Sequence, residues 1–132
     1  MRRFSMLFIV ILLIFLIGCQ RVSDARAEFC DNLREVGTLA TDFKSAKVDD
    51  PVADFRTKVE TLQNRKQTLD RLAKLTNVPA LDKLSTATDN IAQAVGNVSG
   101  NTLGPAAEKI NAAGTELETI YLNLNDAVCV AK

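Results

Sequence analysis

The stretch LGPAAEKINAAGTELETIYLNLNDA, residues 103–127, places apolar side chains at Leu103, Ala106, Ile110, Ala113, Leu117, Ile120, Leu124 and Ala127. The steps between them are threes and fours. On a helix of 3.6 residues per turn, such steps draw one continuous apolar stripe. No run of this chain outside the N-terminal leader alternates with a period of two, so strands are not expected. The same helical spacing recurs upstream. Val22, Phe29, Leu33, Val36, Ala40 and Phe43 form one stripe. Val52, Phe55, Val59, Leu62, Leu69 and Leu72 form another, interrupted by Lys66, whose stem is expected to pack while its ammonium reaches outward. Leu81, Leu84, Thr88, Ile91, Val95 and Val98 form a third.

The three prolines, Pro51, Pro79 and Pro105, punctuate these stripes. Proline suits the first turn of a helix, where a backbone N–H has no intrahelical partner anyway. Asp50 is the expected N-cap of the helix that opens at Pro51. The segment Gly100 to Gly104 reads as a turn. Helices are therefore expected at about 22–47, 51–76, 79–99 and 105–130. Four amphipathic helices of similar length with short connections predict an all-α fold, an antiparallel up-down-up-down four-helix bundle. Small residues gather late, at Ala87, Ala92, Ala94, Gly96, Ala106, Ala107, Ala112, Ala113 and Gly114, and predict close packing of the third helix on the fourth.

The N-terminus has a different character. Arg2 and Arg3 precede an unbroken apolar run from Leu7 to Ile17, followed by Gly18 and Cys19. A positive start, a short apolar middle and a small residue before the cut mark a secretory signal peptide. The run is shorter than the about 20 residues a bilayer span takes. Leu16-Ile17-Gly18-Cys19 resembles the lipobox of bacterial lipoproteins. The resemblance implies a cleaved leader at residues 1–18, a diacylglyceryl thioether on Cys19, and a mature single domain from 19 to 132. Gln20, in place of an aspartate after the cysteine, points away from inner-membrane retention in an enteric-type envelope. The layout of an anchored helical bundle is also similar to that of the lipidated subunits that dock on cyanobacterial photosystem II, although no motif of the body is shared.

With Cys19 assigned to lipid, Cys30 and Cys129 remain as an even pair in an exported, disulfide-permissive compartment. A bond between them is expected, the alternatives being two inert buried thiols or pairing with another chain. An up-down-up-down bundle brings the start of its first helix beside the end of its fourth, which agrees with the bond.

Composition narrows the function. Without Arg2 and Arg3 the chain carries 14 basic and 16 acidic residues, which gives no reason to expect nucleic acid as a partner. There is no histidine, so Ser-His and Cys-His catalytic pairs and the Glu-x-x-His motif of di-iron bundles are excluded. No enzyme activity, cofactor or metal is expected. Glu28, Asp31 and Glu35 share one helical face, read as a solvated acidic face rather than a cation site. The second helix is basic and the fourth acidic. Arg65, Arg71 and Lys74 are the candidate interaction face, for an envelope protein or an anionic headgroup surface. The expected function is a non-catalytic interaction or scaffold module of the bacterial envelope, held to the membrane by its N-terminal lipid. The alternative is an envelope protein that holds a small apolar ligand inside the bundle.

Overall fold

A computed structural model describes residues 2–78 and 81–130, with side chains described from Arg21 onward. Helix α1 spans Arg2–Lys44, α2 Val52–Thr76, α3 Asp82–Gly96 and α4 Ala106–Leu124, and a π-helical turn, Asn125–Cys129, completes the last helix. The fold is an all-α four-helix bundle. Each helix packs on its neighbours in sequence, and α4 returns to pack on α1. Among the described residues the backbones of the diagonal pairs, α1 with α3 and α2 with α4, do not approach each other, as expected for antiparallel up-down packing.

The apolar stripes form the core. Phe29, Leu33, Phe43, Leu62, Leu69, Leu84, Ile91, Ile110 and Leu117 are fully buried. Phe43 and Phe55 meet with ring centroids 5.9 Å apart and planes tilted by 58°, an arrangement that suits the aromatic quadrupoles. Val22 departs from its expected place, since it is 52% exposed and the stripe begins at Ala25. The other end of the pattern shifts as well. Ala127 is exposed and Val128 is buried instead. The physical reason is the π turn, in which the Val130 N–H donates to the Asn125 carbonyl at 3.0 Å, five residues back. That wider turn moves the inward position on by one residue.

Helix limits differ from the sequence-based expectation at several points. Helix α1 begins at Arg2 rather than near residue 22, since no proline interrupts the leader or separates it from the body. It ends at Lys44, where the chain enters a turn. There the Asp50 carboxylate accepts the Lys47 N–H at 2.8 Å, and the Asp50 N–H donates to the Lys47 carbonyl at 3.1 Å. Asp50 therefore caps the turn and not the helix. Pro51 is the N-cap residue of α2. Helix α2 stops at Asn77, which adopts a left-handed conformation (φ 57°) and donates its N–H to the Ala73 carbonyl. Asparagine tolerates this region better than other residues with a Cβ. Pro79, expected to open the third helix, lies outside the described residues. The described part of α3 runs from Asp82 to Gly96, and α4 follows Pro105 at its N-cap.

The two loops remote from the chain ends are joined. The Val52 N–H donates to Asn101 at 3.0 Å, Leu103 to Asp50 at 3.0 Å, and Gly104 to Val48 at 2.9 Å, all to backbone carbonyls. Gly104 takes φ +53° to make the last of these, a conformation that favours glycine. The Arg56 guanidinium adds a bond to the Val98 carbonyl at 3.0 Å.

Helix α3 packs on α4, but Gly114, one of the small residues expected to serve that packing, serves another close approach. Gly114 of α4 faces α1: a Cβ there would lie 2.7 Å from the Phe43 carbonyl carbon and 2.9 Å from its Cβ. Gly37 of α1 reciprocates, with the Tyr121 ring occupying the space of its absent side chain. Gly96, by contrast, faces open space. Gly114→Ala should therefore destabilise the bundle despite alanine's better helix propensity, by ~1–3 kcal/mol, the usual penalty for overpacking. Urea denaturation measures it, and an unchanged or raised midpoint refutes the close contact.

Candidate functional site

The residues singled out from sequence fall at one end of the bundle and along the α1–α2 seam. Cys19 belongs to α1, and its side chain lies outside the described set. Helix α1 continues unbroken from Cys19 through Cys30. At ~1.5 Å per residue these positions are ~16 Å apart along the axis. Residues 21–24 are exposed on all sides and the core begins at Ala25. The link between Cys19 and the body is thus a short helical stem.

Cys30 and Cys129 are joined in a disulfide, with Cα atoms 5.6 Å apart and a sequence separation of 99. The π turn before Cys129 rotates the end of α4 toward α1. Arg26, one turn before Cys30, donates Nε to the Val128 carbonyl at 2.8 Å, and Nη2 reaches the same oxygen. A carbonyl that the end of a helix leaves without an intrahelical partner is thereby satisfied from across the seam. Both ends of the folded body are held together at the end that carries the stem.

The charged residues of α2 meet the acidic face of α1. Arg65 Nε lies 2.5 Å from Glu35 Oε2, and Arg65 Nη1 donates to Asn32 Oδ1 at 3.2 Å. Arg71 pairs with Glu28 at 3.6 Å, and Lys58 with Asp42 at 3.1 Å. Lys58 also sits 5.1 Å from the centroid of the Phe55 ring, a cation–π distance. Lys66, half-buried on its stripe, turns its ammonium to Asp70 at 2.9 Å. Asp31 pairs with Arg34 at 3.3 Å. Each of Glu28, Asp31 and Glu35 therefore has a guanidinium partner. These pairs are largely exposed, so each contributes ~0–1 kcal/mol, and they set the register of the seam more than its strength.

Of the candidate face, Arg65 and Arg71 are thus engaged within the bundle. Lys74 is exposed and makes no ion pair among the described residues. On the opposite flank Lys44 pairs with Glu118, while the exposed Glu108 and Glu116 of α4 have no ion-pair partner among the described residues. The described clefts are shallow and open to solvent. One of them lies between the end of α3 and the start of α4, lined by residues such as Ala94, Val98, Leu103 and Ala106. None of the described clefts is an enclosed chamber between the helices, where an interior apolar ligand would sit.

Among the described residues two polar ones are buried, and one of them, Asn32, escaped the sequence reading. Asn32 is buried, donates Nδ2 to the Glu28 carbonyl at 2.8 Å and receives Arg65. Its position three residues after Phe29 and four before Val36 was the available signal, since it falls on the stripe. Thr88 was placed on its stripe, yet its hydroxyl has no partner among the described residues although the residue is only 1% exposed. The other helical threonines, Thr41 and Thr76 among them, donate to the carbonyl four residues back. Among the described residues no helix is long and apolar enough to cross a membrane, and no acidic or cysteine cluster is arranged to hold a metal ion.

Comparison with protein-family models, with curated proteins and with solved structures finds no match to this chain.

A buried hydroxyl without a partner costs ~1–3 kcal/mol. Thr88→Val, which keeps the shape and removes the hydroxyl, should raise the denaturation midpoint. A lowered midpoint would show that the hydroxyl is satisfied in solution.

Proposed function

We propose that this chain is a lipid-anchored protein of the bacterial envelope that acts as a non-catalytic interaction or scaffold module. The reading begins with Leu16-Ile17-Gly18-Cys19 and the apolar leader before it. Cleavage before Cys19 leaves a mature chain whose first residue carries the lipid, and one acyl chain alone anchors only marginally whereas two or more hold firmly. The observation that carries the reading furthest is the position of the Cys30–Cys129 bond, three helical turns beyond Cys19. It suits an oxidising, extracytoplasmic compartment. It also holds both termini of the body at the lipidated end, so the bundle projects from the membrane with its helix flanks free.

The absence of histidine, the tightly filled core and the shallow clefts support a role in binding other macromolecules rather than in catalysis or ligand storage. The partner in this reading is another envelope protein, met by an exposed flank. The exposed carboxylates Glu108 and Glu116 on α4, which have no ion-pair partner among the described residues, make that flank suited to a basic surface.

Two measurements test the proposal. Cys19→Ser should abolish the mass increment of the lipid and leave the leader uncut. An unchanged mass and processing pattern rejects lipidation. Cys30→Ser should lower the melting temperature in oxidising buffer only. For a closed loop of about 100 residues the chain-entropy estimate is up to ~4.7 kcal/mol. Equal melting of the variant and the oxidised parent would show that the thiols are not joined in the exported protein.

A further inference from the structure

We propose that the tip formed by α1 around Val22 and the end of α2 is a second membrane contact, at which Val22 and Leu75 enter the interface of an anionic phospholipid bilayer while Arg21 and Lys74 meet its headgroups. The inference rests on lipid attachment at Cys19.

The level of each residue follows from the ion pair between Glu28 and Arg71, which places those two side by side at 3.6 Å. From there Val22 lies six residues toward the stem and Leu75 four residues the same way, because α2 runs antiparallel to α1. At ~1.5 Å per residue these are ~9 Å and ~6 Å beyond the pair, and Cys19 is ~14 Å beyond it. Val22 and Leu75 therefore lie within ~5–8 Å of the lipidated residue along the bundle axis, the depth to which interfacial apolar faces bury.

Both side chains are left unburied by the fold. Leu75 is 62% exposed, the most exposed large apolar residue described, and Val22 is 52% exposed. A single exposed leucine needs no explanation by itself. Its position beside a lipid anchor, next to a free cation, gives it one. Five of the six basic residues of α2 are occupied elsewhere: Arg56 with the Val98 carbonyl, and Lys58, Arg65, Lys66 and Arg71 with carboxylates. Lys74 is the one left without such a partner among the described residues, and it adjoins Leu75. Arg21 adjoins Val22 and likewise has no ion pair among the described residues. Asp24 on the stem and Asp82 at the start of α3, which lines the same cleft as Lys74, are the opposing carboxylates, while Arg26 and Lys83 add further positive charges. The tip is therefore net positive and flanked by apolar side chains. Cations near an anionic leaflet are attracted to it, and the attraction falls off within a Debye length. Only groups held close to the surface benefit, and the stem holds these there.

The chain contains no tryptophan, so a single indole reports its own surroundings. The experiment uses the full lipidated protein in vesicles of phosphatidylcholine and phosphatidylglycerol, with Leu75→Trp as the probe and Val48→Trp, at the opposite end of the bundle, as the reference. The expected result is blue-shifted emission from position 75 with loss of intensity when the acyl chains are brominated, and solvent-like emission without quenching from position 48. Adding Arg21→Glu and Lys74→Glu to the Leu75→Trp variant should weaken the quenching in anionic vesicles toward that in pure phosphatidylcholine. Emission from position 75 identical to that from position 48, in protein that floats with the vesicles, overturns the second contact and leaves the lipid anchor standing. A blue shift without quenching by brominated chains assigns the tip to a second copy of the chain and overturns it as well. Protein that does not float with the vesicles at all rejects the anchor, and the second contact with it.

Discussion

Four antiparallel helices return the chain to the level of Cys30, and the Cys30–Cys129 bond makes that return covalent. Much else at this end depends on it. The last turn of α4 widens into a π turn, so that Val128 points inward and Cys129 reaches α1. Arg26 closes the same corner by taking the Val128 carbonyl. A C-terminal helix end is ordinarily prone to fray. Here a covalent bond and a charged hydrogen bond hold it against the helix that bears the stem.

Helix α1 packs between α2 and α4. Its apolar stripe packs against both α2 and α4, and the two sides are built differently. Toward α4 the contact is steric: Gly37 receives the Tyr121 ring, and Gly114 lets the backbone near Phe43 approach. Toward α2 it is polar along its outer edge, with Glu28, Glu35 and Asp42 facing Arg71, Arg65 and Lys58, and Asn32 bridging inward. Close packing fixes how near two helices lie. Spaced ion pairs fix how far one slides along the other, since a shift of one turn would bring each cation opposite the wrong residue. At the far end the paired loops, through Val52, Leu103 and Gly104, limit the same sliding. The result is a stiff body on a short helical stem.

That stiffness bears on the proposed role. A tether with free rotation would let the bundle tumble, whereas in the proposed arrangement a helical stem and a membrane-facing tip would orient it. The acidic flank of α4 would then be presented outward at a defined height. The neutralised α1–α2 seam has little charge left to offer a partner beyond Lys74. The charges of α2 and α4 are therefore disposed differently. One set is consumed inside the bundle, and the other is left largely exposed.

The helical class, the four stripes, the two connections at Pro51 and Pro105 and the parity of the cysteines were all written in the order of residues. Helical periodicity belongs to each segment by itself, so Leu33, Leu62, Ile91 and Ile110 announce their burial without reference to any neighbour. The identities of partners were decided only when the helices met. Nothing in the spacing of Arg65 and Arg71 says that they face Glu35 and Glu28, that Gly114 admits α1 rather than α3, or that Asp50 caps a turn in place of a helix. Those outcomes depend on the relative rotation and axial offset of separate helices. These quantities are set by the summed packing of the whole core, and no single stretch of sequence contains them.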